Sequence, residues 1–589
     1  MQGKPSKNVF TVLFLFLMGA LLVFSGCEKE KEVVKTVEVV IHDTVFVQII
    51  SVDSIYASPD SIAQGGSITL TAEASSMAGT GPLTFQWFAE AGTLDKPEGD
   101  TVTWKAPDDP GVYRITVHVT DGENIGIGSR MIGVGMYVPT SSPYYLGADA
   151  CQQCHQEKGD EWAMTGHAHA WQTLQESGHA QSYCFPCHSV GYDPTPMSGN
   201  SGYDEAPIAK FENVQCENCH GPGSEHVGSG VPDPSKISIS FDAELCGSCH
   251  NGEHHPYFDE WSSSPHAFDP NAEFPTAIPS CQGCHEGVAA SIRLANESAE
   301  YPLNVFYGGG AISERPDTSE VGLKPHTCQT CHDPHSDENP GQVRTVADVV
   351  LVTANNESPV ITEGGVGKLC MQCHHARRAP EPQIADGYAH FGPHANPQAD
   401  MMAGKSAYHG VAPPNFPWAG PSHLLVQNSC KTCHLNMVEY GGPGVPAITG
   451  HTFEPTPEAC QNCHGTITDF DDIMALDDFD GDGVVEGVQS EVQGLMDLLA
   501  TALVDSFLAR GVDTTGLGID GVLGDTTLST YKEREAGYNW VFILDDKSKG
   551  IHNPDYAIQL LQQSYQYFTG QPVPNAAIVR EENAVVGNF

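Results

Sequence analysis

The sequence predicts a multidomain fold: an all-β sandwich, then a loop-rich, mostly α-helical domain, then a small helical segment. Three observations support this prediction. Short alternating apolar runs separated by Gly and Pro turns occupy residues 51–138, nine Cys-x-x-Cys-His repeats occupy 151–464, and apolar residues recur at helical spacing after residue 471. A period of two is typical of strands, and spacings of three and four residues are typical of helices.

The N-terminus has the pattern of a signal peptide over residues 1–26: two lysines, an apolar run and small residues before Cys27. A cysteine directly after small residues resembles a bacterial lipobox, which implies cleavage before Cys27 and acylation of its sulfur and amine. The following Glu favours the outer membrane in lipoproteins. Ordinary secretory cleavage is the alternative. Residues 27–50 then form a lipidated tether, and we expect no later segment long and apolar enough to span a bilayer.

The β-sandwich is predicted over residues 51–138, with strands around 68–72, 83–87, 101–104 and 113–119. The segment resembles an immunoglobulin-like domain of the polycystic-kidney-disease type. In that family Trp87 would be the core tryptophan and Tyr113 the corner tyrosine. The segment contains no cysteine, so packing alone must stabilise it. A spacer role and a carbohydrate- or partner-binding role both remain open.

The nine repeats, called motifs 1 to 9 in chain order, use every cysteine except Cys27. Cys-x-x-Cys-His is the attachment signature of c-type haem, in which the thiols bind the porphyrin and the histidine binds the iron. Half of a zinc site is the alternative for one Cys-x-x-Cys pair. Histidine follows all nine pairs although it is only 27 of 589 residues. The attachment cysteines are Cys151, Cys154, Cys184, Cys187, Cys216, Cys219, Cys246, Cys249, Cys281, Cys284, Cys328, Cys331, Cys370, Cys373, Cys430, Cys433, Cys460 and Cys463, and the proximal ligands are His155, His188, His220, His250, His285, His332, His374, His434 and His464.

The motif-bearing domain is predicted over residues 139–470. So little chain cannot surround nine cofactors with separate side-chain pockets. We therefore expect the porphyrins to form much of the core and to pack against one another, which also makes electron transfer between neighbours fast.

A second axial ligand would close each iron to substrate. An internal repeat indicates some of these ligands: Glu161–Ala168 and Glu260–Ala267 share Glu-Trp-x-x-x-(Gly/Pro)-His-Ala, and Gly392–Ala395 keeps its end. His552 is predicted to reach back from a helix entrance at Asn553. A solvent-facing polar histidine is the alternative in each case. The predicted distal ligands are His167, His179, His226, His266, His326, His335, His394, His409, His423, His451 and His552.

Residues 471–589 contain no such motif and are predicted to be helical. An acidic loop precedes the first helix: Asp478, Asp480 and Asp482, with a glycine next, match the start of an EF-hand calcium loop. Position 12 is Gln489, so Glu486 or Glu491 would have to replace the usual glutamate. An acidic turn that caps the helix is the alternative.

The formal charge of −47 makes nucleic acid and anionic membrane surfaces poor partners. Other cytochromes and extracellular electron acceptors are the expected partners, and self-assembly into a filament remains open. The only expected membrane attachment is the lipid anchor, so the protein is predicted to be exported and to lie at the cell surface or face the periplasm.

Four phrases resemble the multihaem cytochrome c superfamily: Tyr145–Gly147, the Trp…Gly-His-Ala element, Val214–Glu217 with its Gly-Pro-Gly-Ser-x-His tail, and Gly550–Pro554. That superfamily includes the carrier partnered with hydroxylamine oxidoreductase, ammonia-forming nitrite reductases and surface electron-transfer cytochromes. The resemblance implies an electron carrier with nine haems c. An oxidoreductase acting on nitrite, hydroxylamine or a sulfur oxyanion is the alternative, although the Cys-x-x-Cys-Lys motif of the nitrite reductases does not occur in the sequence.

Overall fold

The computed structural model describes residues 50–57, 61–77, 81–109, 111–135, 142–192, 202–203, 209–228, 232–268, 279–295 and 322–579. The predicted signal peptide, Cys27 and nearly all of the tether lie outside the described residues.

The N-terminal region is a pair of four-stranded sheets with strand orders β1-β3-β6-β5 and β2-β8-β7-β4. All pairings are antiparallel except that of β2 with β8. The strands are β1 Ile50–Ala57, β2 Ser61–Ile62, β3 Ser67–Ser76, β4 Thr84–Ala89, β5 Thr93–Leu94, β6 Thr101–Lys105, β7 Gly111–Thr120 and β8 Ile125–Val134.

One hydrophobic core joins the two sheets, as the alternating pattern predicts. Trp87 of β4 and Trp104 of β6 are both fully buried in it. Their indole nitrogens donate to the carbonyl oxygens of Gly99 and Ala91, each at 2.8 Å. The Tyr113 hydroxyl donates to the carbonyl oxygen of a residue four positions upstream at 3.0 Å. Only Trp87 was predicted as the core tryptophan. Trp104 joins it in the core from the opposite sheet.

Strand β8 was not predicted, because its glycines weaken the strand pattern. The structure gives these glycines a packing role. A Cβ on Gly126 would lie 2.6 Å from the backbone oxygen of Ile50, and one on Gly128 would lie 2.6 Å from the Val52 side chain. The glycines therefore let β1 of the other sheet approach β8 closely.

The rest of the described chain is mostly helical and rich in loops, with one two-stranded sheet of β9 Val349–Val350 and β10 Val360–Ile361. The helices are α1 Ala148–Gln152, α2 Gln156–Trp162, α3 Ala170–Glu176, α4 Phe185–His188, α5 Cys216–His220, α6 Ser224–Val227, α7 Ala243–Gly247, α8 Tyr257–Ser263, α9 Pro279–His285, α10 Gly287–Ala295, α11 Cys328–Cys331, α12 Lys368–Met371, α13 Pro380–Asp386, α14 Gln398–Ala403, α15 Cys430–His434, α16 Pro457–His464, α17 Val488–Ala509, α18 Gly518–Gly524, α19 Tyr531–Asp546 and α20 Pro554–Thr569.

The predicted C-terminal helices are confirmed as α17 and α20, and α18 and α19 join them in one hydrophobic core. Asn553 caps α20 by accepting from the Tyr556 backbone N–H, and Gly570 ends it in the left-handed conformation. The core also contains Ile384 of α13 and Met401 of α14. The helical segment is therefore packed directly onto the preceding domain.

The expectation of no further membrane-length segment was wrong. Helix α17 has 22 residues and contains an 18-residue stretch with a mean hydropathy of 1.4, which is enough by length and composition alone to cross a bilayer. The sequence argument required an uninterrupted apolar run, whereas this helix carries spaced acidic residues. Its apolar face, which includes Leu495, Leu499 and Leu503, is buried in the C-terminal core.

Candidate haem cavity

Each Cys-x-x-Cys-His motif lies on or at the end of a short helical turn. Helices α1, α4, α5, α7, α9, α11, α12, α15 and α16 carry motifs 1 to 9 in that order. In motifs 1, 4, 6 and 7 the histidine N–H donates to the carbonyl oxygen of the first cysteine at 2.9 Å. This i to i+4 bond places both thiols and the imidazole on one side of the turn, as the motif spacing predicts.

All nine motifs open onto one continuous cavity of about 3500 Å³, called here the haem cavity. Each motif contributes its histidine and at least one cysteine to the lining. A pocket for one drug-sized ligand measures roughly 300–1,000 Å³. The described hydrophobic clusters beside the cavity are small. The space that side chains would fill in another core is thus left for cofactors, and the fit to several porphyrins is good.

Eight motif histidines face a second imidazole across this cavity. Imidazole nitrogens bind transition metals at about 2 Å, so two rings on opposite sides of one iron have centroids roughly 6 Å apart. The pairs, motif histidine first, are His155 with His226 at 6.5 Å, His220 with His335 at 6.1 Å, His250 with His167 at 6.1 Å, His285 with His394 at 6.1 Å, His332 with His451 at 6.4 Å, His374 with His266 at 6.2 Å, His434 with His552 at 6.3 Å and His464 with His423 at 6.2 Å.

Hydrogen bonds at Nδ1 orient many of these rings. Nδ1 lies 2.6 to 2.8 Å from a backbone carbonyl oxygen in His188, His220, His332 and His434. An Nδ1–H that donates leaves the Nε2 lone pair free to bind a metal, and such second contacts fix the ring. On the facing side, Nδ1 does the same in His226 and His423, and in His552 it contacts a carboxylate oxygen of Asp546 at 2.7 Å.

The pKa values of the cavity imidazoles agree with metal binding. Burial lowers the pKa of His250, His266, His374 and His394 to about 4 in each case. These rings are therefore neutral near pH 7, and only the neutral ring has the lone pair that a metal requires.

Three of the predicted distal ligands occupy other positions. His326 has Nε2 against the Cys284 carbonyl oxygen at 2.9 Å, and His409 has Nε2 against the Tyr556 hydroxyl at 2.8 Å. The nitrogen that would bind iron is occupied in both. His179 is exposed, and in the described chain no motif histidine ring lies against it.

The repeat noted in the sequence is also a repeat in three dimensions. The Trp162 indole donates to the carbonyl oxygen of Val214 at 3.0 Å, and the Trp261 indole donates to that of His326 at 2.7 Å. The N–H groups of those acceptors donate to the carbonyl oxygens of His167 and His266, respectively, at 3.1 Å. His326 therefore stands where valine stands in the first copy, two residues before a motif. The backbone N–H and carbonyl oxygen of His326 make the contacts that those of Val214 make in the first copy.

Neighbouring motifs touch through their thiols. The thiols of Cys151 and Cys216, and those of Cys246 and Cys328, are close enough to shift each other's pKa; these are the first cysteines of motifs 1 and 3 and of motifs 4 and 6. Second cysteines are neighbours in the same way between motifs 2 and 4 and between motifs 5 and 7, and a further thiol pair links motif 7 to motif 8. Cofactors held by these motifs would be in close contact.

Two arginines, the buried Arg293 and the half-buried Arg377, connect motifs 5 and 7. Arg293, from the helix after motif 5, donates to the Cys373 sulfur at 2.9 Å and to the Gly283 carbonyl oxygen at 2.8 Å. Arg377, from the chain after motif 7, donates to the Cys284 sulfur at 3.0 Å and to the Cys373 carbonyl oxygen at 2.8 Å. The exchange is reciprocal and puts two guanidinium groups beside two adjacent attachment sites. No sequence motif indicates this exchange.

The acidic loop brings Asp478, Asp480 and Glu491 together, with one ligand oxygen of each within 4.8 Å of the others. Glu491 rather than Glu486 completes the group, and Asp482 lies outside it. Burial, with Glu491 and the loop aspartates nearby, raises the pKa of Asp480 to about 6. Gln489, at position 12, turns away and donates to the Ser548 carbonyl oxygen at 3.0 Å.

Comparisons with known proteins agree with this geometry. The family model for "Cytochrome c554 and c-prime" matches residues 150–221. The multiheme cytochrome MtrA of Shewanella baltica (strain OS185) is 24% identical over 217 residues, covering 34% of this chain and 54% of MtrA. The C-type polyheme cytochrome OmcC of Geobacter sulfurreducens is 30% identical over 170 residues, covering 25% of this chain and 20% of OmcC. The chain thus spans about half the length of the first relative and a fifth of the second.

Among solved structures, the outer cell wall cytochrome OcwA aligns with a TM-score of 0.45 and 18% identity, over 72% of this chain and 99% of OcwA. An undecaheme cytochrome from the S-layer of Carboxydothermus ferrireducens aligns with a TM-score of 0.45 and 18% identity, over 74% of this chain and 70% of that one. The motif repeats, the histidine pairs and the sequence relatives agree: this chain is similar to multihaem c-type cytochromes.

Proposed function

We propose that this chain is an exported lipoprotein that carries electrons along nine bis-histidine haems at the cell surface, toward an extracellular acceptor or a partner cytochrome. The observation that carries the proposal is the set of eight histidine pairs at 6.1 to 6.5 Å across one cavity. Haem iron held between two imidazoles exchanges single electrons and offers no free position to a substrate.

Contacts between motifs support a continuous path for electrons through the cavity. Thiol contacts link motif 1 to motif 3, motif 4 to motifs 2 and 6, and motif 7 to motifs 5 and 8. Distal histidines come from distant parts of the chain, so each iron would also cross-link two segments. The carrier and its fold would therefore depend on the same bonds.

The test is intact mass of the exported protein after acid denaturation, together with turnover assays. We expect nine haem additions, acylation at Cys27, and fast oxidation of the reduced protein by a soluble Fe(III) chelate. Fewer haems would remove the nine-haem claim. Multiple turnovers of nitrite or hydroxylamine would favour the oxidoreductase alternative instead.

For the N-terminal region we propose an immunoglobulin-like sandwich that acts as a spacer between the lipid anchor and the haem domain. The buried Trp87 and the backward hydrogen bond of Tyr113 support this assignment. A truncated chain that lacks residues 51–138 should keep its haems and its spectra but lose access to large insoluble acceptors. Unchanged reduction of such acceptors would contradict the spacer role.

We also propose that the acidic loop before α17 binds calcium. The three carboxylates include the buried Glu491, whose oxygens already accept backbone N–H bonds from Phe479, Asp480 and Glu486. A Cβ on Gly494 would lie 1.7 Å from the Asp480 carboxylate, so the helix leaves room for that group. Bound Ca²⁺ would hold the loop to the start of the helix.

A further inference from the structure

His188, the proximal histidine of motif 2, differs from the other eight. Its Nδ1 is 2.8 Å from the Ala170 carbonyl oxygen, so its ring is oriented like those of other motif histidines. Within the described ranges, however, no second imidazole faces it at the separation that the eight pairs share. The histidine pairs therefore do not identify a sixth ligand for the iron of motif 2.

The three-dimensional repeat indicates where this ligand lies, because the period of the repeat is three motifs. The Trp162 indole bonds to a residue two positions before motif 3, and the Trp261 indole bonds to a residue two positions before motif 6. The thiols of Cys187 and Cys249, of motifs 2 and 4, are close enough to shift each other's pKa, and so are those of Cys284 and Cys373, of motifs 5 and 7. Motif 2 thus occupies in the first copy the place that motif 5 occupies in the second.

The partner of motif 5 is known from the geometry. His285 faces His394 with ring centroids 6.1 Å apart. His394 lies in the chain that follows motif 7. Moving back by three motifs, the partner of motif 2 should lie in the chain that follows motif 4. That chain begins after His250 and contains three histidines, His254, His255 and His266. His266 already faces His374 of motif 7, which leaves His254 and His255 as candidates.

Their surroundings distinguish the two candidates. His255 lines the haem cavity together with Cys187 and His188, and its ring is 6.4 Å from the ring of His250. His254 is absent from the lining, and its ring packs on Tyr440 with centroids 3.8 Å apart. Burial lowers the pKa of His255, and the nearby imidazoles of His254 and His188 lower it further.

The loop that carries His255 joins α7 to α8 and turns at Gly252, where an added Cβ would meet nothing within 4 Å. The Gly252 N–H donates to Asp259 at 2.8 Å, and the His255 N–H donates to the Gly252 carbonyl oxygen at 3.1 Å. The loop is therefore held to α8, with open space beside its turn.

We propose that His255 is the sixth ligand of the iron held by motif 2. This inference rests on the proposed function, in that motif 2 must carry a haem. It completes nine closed irons, and it places a histidine between motif 2 and motif 4 at the point where their thiols meet. His255 would then tie together two cofactor sites that belong to different copies of the repeat.

The test is electron paramagnetic resonance and magnetic circular dichroism of the complete holoprotein carrying His255→Ala. We expect one iron of nine to change from low-spin to high-spin, and added imidazole to restore the low-spin signal. His254→Ala and His179→Ala are matched controls that should leave all nine irons low-spin. His255→Met is a second variant, in which one iron should acquire the higher potential of His/Met ligation.

Spectra of His255→Ala and His255→Met identical to those of the wild type would overturn the proposal. So would a wild-type protein that already contains a high-spin iron able to bind azide, or a high-spin iron that appears in His254→Ala instead. Intact mass separates these results from failure of the proposed function. Nine haems with no effect at His255 refute only the ligand, whereas fewer than nine in the wild type refute the nine-haem carrier.

Discussion

The rings of His434 and His552 face each other with centroids 6.3 Å apart, although one belongs to motif 8 and the other to the entrance of the C-terminal helix α20. The buried carboxylate of Asp546 lies 2.7 Å from Nδ1 of His552. Burial by itself lowers the pKa of His552, but the charge and hydrogen bond of Asp546 outweigh it, and the net shift is upward. A carboxylate behind a histidine is the arrangement that orients metal ligands and increases their basicity.

His552→Ala should leave nine haems attached and convert one iron to a high-spin state, because the motif 8 iron loses its sixth ligand. Paramagnetic resonance of the oxidised protein measures this. His409→Ala is the control: that ring stacks on Trp418 at 4.4 Å and is bonded to a tyrosine, so all irons should stay low-spin. A high-spin signal in the control and none in His552→Ala would refute the assignment.

Asp546→Asn should weaken the same ligand without removing it. Loss of such a second contact typically costs about 10- to 100-fold in ligand affinity. We therefore expect azide to displace His552 from iron in the variant at lower concentration than in the wild type. Optical titration follows the displacement, and equal affinities in the two proteins would rule out a role for Asp546 in supporting the ligand.

Arg377→Gln should lower the reduction potential of the haems at motifs 5 and 7. Reduction removes a positive charge from the iron, so a nearby guanidinium favours the reduced state. Losing it should cost on the order of 60 mV, a tenfold change for one electron. Spectropotentiometry resolves the shift. Arg114→Gln is the matched control, since Arg114 lies on strand β7 of the N-terminal region and does not line the haem cavity.

An equal shift in both arginine variants would show that net charge alone is responsible, against the local role of Arg377. Arg377→Gln could also impair haem attachment, so Arg377→Lys is a second variant. It keeps the positive charge, and we expect it to restore the reduction potential more fully than it restores attachment.

Calcium should raise the melting temperature of the complete protein by a few degrees, and Asp480→Ala should abolish the increase. The reason is that binding to the folded loop alone adds stability by mass action. Asp513→Ala, which removes an exposed carboxylate of the same helical segment, is the control and should keep the response. Absence of any calcium effect on the wild type would leave the loop as a cap for α17.

Cys27→Ser should release the protein from membranes while all nine haems remain, because the haem motifs do not depend on the anchor. Fractionation of cells measures the release. Retention of the variant on membranes would contradict the lipid anchor.

Local patterns predicted element type well, because element type depends on neighbouring residues. The motif spacing predicted helical turns, and the Asn553-Pro554 and Gly570 signals predicted the bounds of α20 to within a residue. Distal ligands depend on which segments meet in space. His326 was proposed because it precedes a cysteine, yet the same position in the first copy is Val214. The backbone contacts of His326 with Trp261 and His266 explain why it lies there. No local sequence pattern reveals these contacts.

The same limit applies to His255 and to the arginines. His255 stands beside another histidine, so sequence proximity could not choose between them, whereas the cavity lining does. Arg293 and Arg377 are distant in the chain and have no motif. Their reciprocal contacts with motifs 7 and 5 exist only after folding.

A density map of the holoprotein by electron cryomicroscopy tests the central claim most directly. The account predicts nine porphyrins in one cavity, each joined to its two motif thiols. It also predicts iron between the rings of all eight pairs, from His155 with His226 to His464 with His423. A motif without a porphyrin, or iron ligated by His326, His409 or His179 in place of the paired histidines, would contradict it.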